Sequence, residues 1–179
     1  MDLMTYPRLS EKIRNDTFHV FDLEPFLPGC KLLVNVSTLI VSLFVPSCDS
    51  NEYINNEYII AQRILSETEM RVLLPLLSTP LCCPQEVLQA SYQCTYDFLL
   101  CALLSSDVDI QAQWNDLVYE QRVRLSIAHS HSKQRAVMKG VYNALFVLRQ
   151  KFKPLGFTIR AKREGYYIAP VTTLRETLR

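Results

Sequence analysis

The sequence predicts an α+β fold: an N-terminal antiparallel sheet, a run of helices, and a last helix closed by a two-strand hairpin. Three observations carry this. Residues 17–45 hold short runs rich in β-branched and aromatic side chains, as strands prefer. From residue 65 the apolar residues recur at helical spacing, and they continue to do so as far as residue 127. Near the end, residues 156–169 follow a short break after the last helix and read as a basic two-strand hairpin. With 179 residues, 49% of them hydrophobic and 21% charged, the chain suits one domain, 1–179, that buries a substantial core.

The sheet is expected over residues 17–63. In 17–23 the side chains alternate, with Phe18, Val20 and Asp22 on one face and His19, Phe21 and Leu23 on the other. Residues 31–36 and 39–45 form the next two strands, a polar loop covers 46–56, and 58–62 reads as the fourth. The first helices belong to 65–92. Ser66 and Glu69 make a capping box, in which each side chain satisfies the other's free backbone amide. Met70, Leu73, Leu74 and Leu77 then repeat at helical spacing, and Pro75 is expected to kink that helix or end it early. Pro84 sits in a favoured first-turn position for a helix over 84–92.

Residues 93–134 form a helical insertion. Tyr92, Tyr96, Leu99, Leu100 and Leu103 make one apolar stripe; Ile110, Trp114, Leu117, Val118 and Leu125 make another. Ser105, Ser106 and Asp107 break the two helices at 93–104 and 108–127 and supply a cap. Residues 126–134 are polar and read as a loop. A final helix over 136–153 is closed by Pro154 and Gly156.

Composition removes several function classes. The six cysteines lie in no Cys-x-x-Cys pair at zinc-ribbon spacing, and no apolar segment of secretory type opens the sequence. Unpaired, mostly buried thiols are expected, with Cys94 and Cys101 lining one buried helix face. His129 and His131 suit a solvated loop and no metal site. The longest apolar run, 39–46, is far short of the roughly 20 residues that span a bilayer, so a cytoplasmic protein without membrane partners is expected. There is no Gly-rich phosphate loop and no nucleophile with a base at suggestive spacing, so no catalysis, cofactor or metal is expected.

Charge is unevenly placed. Residues 135–179 hold ten basic and two acidic residues, a net of +8, which leaves −7 for the rest of the chain. A basic end on an acidic body fits a polyanion partner. An amphipathic helix joined to a hairpin carrying Arg160, Lys162 and Arg163 is what a winged helix needs to dock on duplex DNA.

The order of these parts resembles the DNA-binding effector domain of OmpR/PhoB-type transcription regulators. The resemblance spans 17–92 and 135–170. It rests on Leu65, Thr68 and Glu69 in the first helix and on Leu145, Leu148, Arg149, Lys151 and Phe152 in the last helix. In the hairpin it rests on Ile159, Gly165, Tyr166 and Ile168. It implies a winged helix-turn-helix preceded by a four-stranded sheet, with a recognition helix at 136–153, a wing at 157–169, and double-stranded DNA as partner. Two departures stand out. About forty residues replace the short loop that often contacts RNA polymerase in that family. Either they pack on the domain or offer a partner surface, with 92–125 open to a second regulator or polymerase, or the helix at 108–127 is itself the positioning helix. Further, Tyr142, Phe146 and Val147 stand where the family presents polar or basic groups.

The candidate DNA-binding residues divide by chemistry. Lys139, Lys151 and Lys153 suit phosphates, which position without specifying. Asn143 suits an adenine edge, Tyr142 and Phe146 suit thymine methyls, and Gln150 is a further hydrophilic reader. Arg149 matches an arginine common in the family that serves structure as well as phosphate contact. Arg160, Lys162 and Arg163 suit a narrow minor groove. A sequence-specific transcription regulator that pairs as a homodimer on DNA is the leading expectation, because one such unit reads only a short half-site. A winged-helix interaction or oligomerisation module is the alternative.

Overall fold

The computed structural model describes residues 18–24, 27–46, 57–79, 81–128 and 130–171. The chain is α+β. Among the described residues a four-stranded antiparallel sheet comes first, and six helices and a three-stranded sheet follow.

The first sheet is a meander of β1 (Phe18–Asp22), β2 (Lys31–Asn35), β3 (Ile40–Pro46) and β4 (Glu57–Ile64) in that spatial order. His19 pairs with Val34 and Phe21 with Leu32, and these in turn oppose Val41 and Leu43. All six are buried, so one face of the sheet enters the core, as period-two alternation requires. The other face keeps Asp22 in solvent. The loop expected at 46–56 begins one residue late, because Pro46 ends β3; its remainder lies outside the described residues.

The helices are α1 (Glu67–Ser78), α2 (Gln85–Gln93), α3 (Tyr96–Leu104), α4 (Val108–Ile127), α5 (His131–Val137) and α6 (Lys139–Phe152). Ser66 and Glu69 form the expected capping box on α1. Pro75 does not end α1 early. The helix continues to Ser78, and the Pro75 carbonyl takes both the amide and the hydroxyl of Thr79, at 2.9 and 2.7 Å. Proline there removes one rung of the ladder, but the surrounding residues 72–78 are all buried, and tertiary packing outweighs the missing bond. Pro84 stands just before α2 as its N-cap, one residue earlier than expected.

Among the described residues the insertion is mostly helical. Thr95 caps α3, and Asp107 caps α4 by accepting from the amides of Asp109 and Ile110. The two apolar stripes turn inward: Leu99, Trp114 and Leu125 are buried, and Tyr92, Tyr96, Leu100, Leu103, Ile110, Leu117 and Val118 pack half-buried against the same core. α4 packs on α2 and α3, while the Tyr96 hydroxyl donates to the Val36 carbonyl at 2.8 Å and ties α3 to the first sheet.

Three expectations are corrected here. The described part of residues 126–134 is not one loop: α4 runs to Ile127, and Ser130 caps α5, its Oγ accepting from Lys133 N, while His129 lies outside the described residues. The final helix divides at Met138, so the basic helix begins at Lys139 and not at 136. Cys94 caps the end of α2 outside α3, and Cys101 is exposed, so the two share no buried face. Of the described cysteines only Cys83 is buried outright; burial pushes its thiol up to about 12.

A 3-10 turn at Lys153–Leu155 and a left-handed Gly156 (φ 86°) lead from α6 into β6 (Phe157–Lys162), which pairs antiparallel with β7 (Gly165–Pro170). β7 also pairs with the short β5 (Cys83–Pro84), giving a three-stranded sheet in the order β5-β7-β6. Gly165 permits this, because a Cβ there would collide with the Cys83 carbonyl. A Cβ on Gly140 would instead meet the far end of the Tyr92 ring, which is able to swing aside. Gly165→Ala is therefore expected to cost at least 1–3 kcal/mol, about the range for overpacking, and Gly140→Ala less. Urea midpoints of the two variants check the order.

Candidate nucleic-acid interface

α6 is amphipathic for a plain reason of spacing. Val141, Ala144, Leu145, Leu148 and Phe152 recur at three and four residues and are buried against α1, α2 and β6. Opposite them, Lys139, Asn143, Phe146, Val147 and Gln150 form one exposed stripe that Lys153 extends past the helix end. Phe146 is 60% exposed and Val147 37%, both uncommon for apolar side chains on an otherwise well-packed helix.

The two flanks of this stripe are fixed to different parts of the chain. On the hairpin side, Arg149 Nε donates to the Ile159 carbonyl of β6 at 2.7 Å. Tyr142, half-buried, meets Tyr166 of β7, whose hydroxyl is pushed up to about 12 by burial and then by Tyr142 itself. On the sheet side, Lys151 Nζ donates to Glu69 Oε2 at 2.7 Å and to the Ile64 carbonyl at 2.9 Å. Arg63 Nε of β4 donates in turn to the Lys151 carbonyl at 3.2 Å. Neither Arg149 nor Lys151 is thus an open phosphate contact, and Tyr142 faces the hairpin and not the exposed stripe.

The hairpin turn presents Arg163 and Glu164 at its tip, with Arg160 and Lys162 on β6, all exposed. Lys162 is partly engaged: its ammonium donates to the Leu81 carbonyl at 3.3 Å and lies 4.5 Å from the Tyr167 ring centre. Lys133 and Arg135 of α5 are exposed just ahead of α6. Arg135 belongs to the basic end that the sequence shows, whereas Lys133 falls in the polar stretch that reads as a loop.

Of the eleven candidates, the structure therefore brings Lys139, Asn143, Phe146, Gln150 and Lys153 together on one helix face. It sets Arg160, Lys162 and Arg163 on the adjoining hairpin and uses Tyr142, Arg149 and Lys151 to hold the helix in place. Among the described residues no cluster of His, Cys, Asp and Glu could hold a metal ion, and no helix is long and apolar enough to cross a membrane.

This division is measurable. Lys151→Met removes the cation from a carboxylate whose side chain is only 11% exposed, and is expected to lower stability by about 1–2 kcal/mol, as is Arg149→Met. Lys139→Ala, Lys153→Ala and Arg163→Ala are expected to stay within about 0.5 kcal/mol of wild type in urea unfolding. Compared with protein-family models, curated proteins and solved structures, the chain gives no match, so its functional reading rests on this geometry.

Proposed function

We propose that this chain is a sequence-specific, non-catalytic DNA-binding transcription regulator of winged-helix form, similar to OmpR/PhoB-type effector domains. α6 is its recognition helix and the β6-β7 hairpin its wing. The observation that carries this reading is the exposed stripe of α6 set beside a basic hairpin, with the two joined through Arg149 and Tyr142. A rigid helix with an open polar and apolar face fits a major groove, and cations on a neighbouring turn fit the flanking backbone or minor groove. The element order supports the same reading. A four-stranded sheet, a helix, a short strand and a second helix come in that order, and the exposed helix and a hairpin follow after α3, α4 and α5; the second sheet has the order β5-β7-β6.

α2 serves as the positioning helix on this reading. It follows β5 and packs on both α1 and α6, whereas α4 packs on α2 and α3. Residues 94–137 are then an elaboration between the positioning and recognition helices. The outer surface of α4, with Asp109, Asp116, Tyr119 and Glu120 exposed, is where a second regulator or RNA polymerase would meet it. Pairing on adjacent half-sites as a homodimer would supply the specificity that one short helix face lacks.

One observation favours a second reading, a protein-interaction module: Phe146 and Val147 form an apolar centre that a partner helix would also cover. A fluorescence-anisotropy titration against duplex DNA separates the two. On the DNA reading, affinity falls steeply between about 50 and 200 mM salt. Lys139→Ala/Arg163→Ala then reduces the log–log slope by about 2, roughly 0.9 for each phosphate that is no longer neutralised. Absence of binding at the lower salt overturns the proposal and favours the interaction module.

A further inference from the structure

We infer that α6 reads an A·T-rich half-site, through adenine edges and thymine methyl groups, and that the middle of the helix holds no guanine reader. The inference rests on the DNA-binding reading above and names the bases that the site selects.

Guanine is read chiefly by arginine or lysine reaching O6 and N7. The cations in the second half of α6 are committed elsewhere. Arg149 is held on the Ile159 carbonyl, and Lys151 is held between Glu69 and the Ile64 carbonyl. Lys139 and Lys153 remain exposed, but they stand at the two ends of the stripe. Fourteen residues of helix separate them by roughly 21 Å along the axis. They flank the centre of the face, where cations suit the phosphates on either side of the bases that the centre meets. The centre of the face is left with Asn143, Phe146, Val147 and Gln150. Asn and Gln pair with adenine N6 and N7, and apolar groups meet the thymine C5-methyl, which no other base carries. Phe146, the most exposed of the apolar pair, lies three residues after Asn143 and four before Gln150. On a helix that puts it between the two amides, so adjacent A·T pairs would be read together. The exposed Arg163 at the hairpin tip agrees with this choice, because A·T tracts narrow the minor groove and strengthen its attraction for guanidinium.

The test starts from selection of bound sequences out of a randomised duplex pool at moderate salt. Runs of A·T pairs at the protected centre are expected. The selected duplex is then remade with deoxyuridine for thymidine, which deletes the methyl in the major groove and leaves the minor groove unchanged. Wild-type affinity is expected to fall about fourfold for each methyl that the helix touches. Phe146→Ala is expected to narrow the difference between thymine and uracil duplexes while keeping its salt-dependent affinity. Phe146 is exposed, so this variant folds. Enrichment of G·C pairs at the centre, or equal wild-type affinity for the two duplexes, overturns the inference and leaves DNA binding standing. Failure to bind any duplex at low salt overturns both.

Discussion

The placement of α6 depends on one carboxylate. Glu69 accepts from the Ser66 amide at 2.9 Å, closing the capping box that starts α1, and the same Oε2 takes the Lys151 ammonium at 2.7 Å. Three elements that are distant in sequence or direction meet there. Ser66 follows directly on β4, α1 carries Glu69, and the last turn of α6 brings Lys151. Arg63 completes the clasp from β4 by donating to the Lys151 carbonyl, one of the C-terminal carbonyls of α6 that lack a partner within the helix. A cation near the end of α6 also favours its dipole, as an anion favours the start of α1. The first sheet is therefore fastened to the exposed helix through polar bonds, in addition to the shared core.

That fastening explains why the basic end of the chain divides as it does. A helix that presents a surface needs its rotation about its own axis fixed. Leu148 and Phe152, fully buried, fix the depth of α6. Lys151 on one flank and Arg149 with Tyr142 on the other hold it against rolling. The cations engaged in this way are the ones a charge count would assign to phosphate. What they leave outward is a face with cations at its ends and an amide and apolar centre. On the proposed reading, electrostatics brings the helix to DNA and its centre chooses the bases.

Much of this was legible in the sequence wherever a local signal coincided with burial. The capping box at Ser66, the break at 105–107 and the bounds of α4 were readable because a cap residue stood beside an apolar period. The hairpin was readable from Gly156, Gly165 and the strand-like residues between them. What failed has a common physical cause. Residues 131–135 are polar and exposed, and polarity alone does not separate an exposed helix from a loop. The division falls on Met138, a buried apolar residue at helical spacing, and such a residue gives no sign of a break. Pro75 misled because its cost is local, while the packing that outweighs it is not. The roles of Arg149 and Lys151 depend on partners 10 and 82 residues away, Ile159 and Glu69, which no spacing rule reveals.

The insertion follows the same reasoning. Two apolar stripes in 93–127 look like surplus surface, and surplus apolar surface invites a partner. In the fold the surplus is consumed: Trp114 and Leu99 are buried, and most of both stripes lies half-buried against the common core. α4 widens the base on which α2 sits, and α2 supports α6. A homodimer would then need other surface. The exposed apolar residues of α4 are Val108, Tyr119 and Ile127. At 3.6 residues per turn, Val108 and Tyr119 fall on one outer line of the helix, with Ile127 about a quarter-turn from it. Asp116 and Glu120 flank Tyr119 and are exposed, as are Arg122 and Arg124 further along the helix. On the proposed reading, this outer line of α4 is the surface of the elaboration that a protein partner would meet.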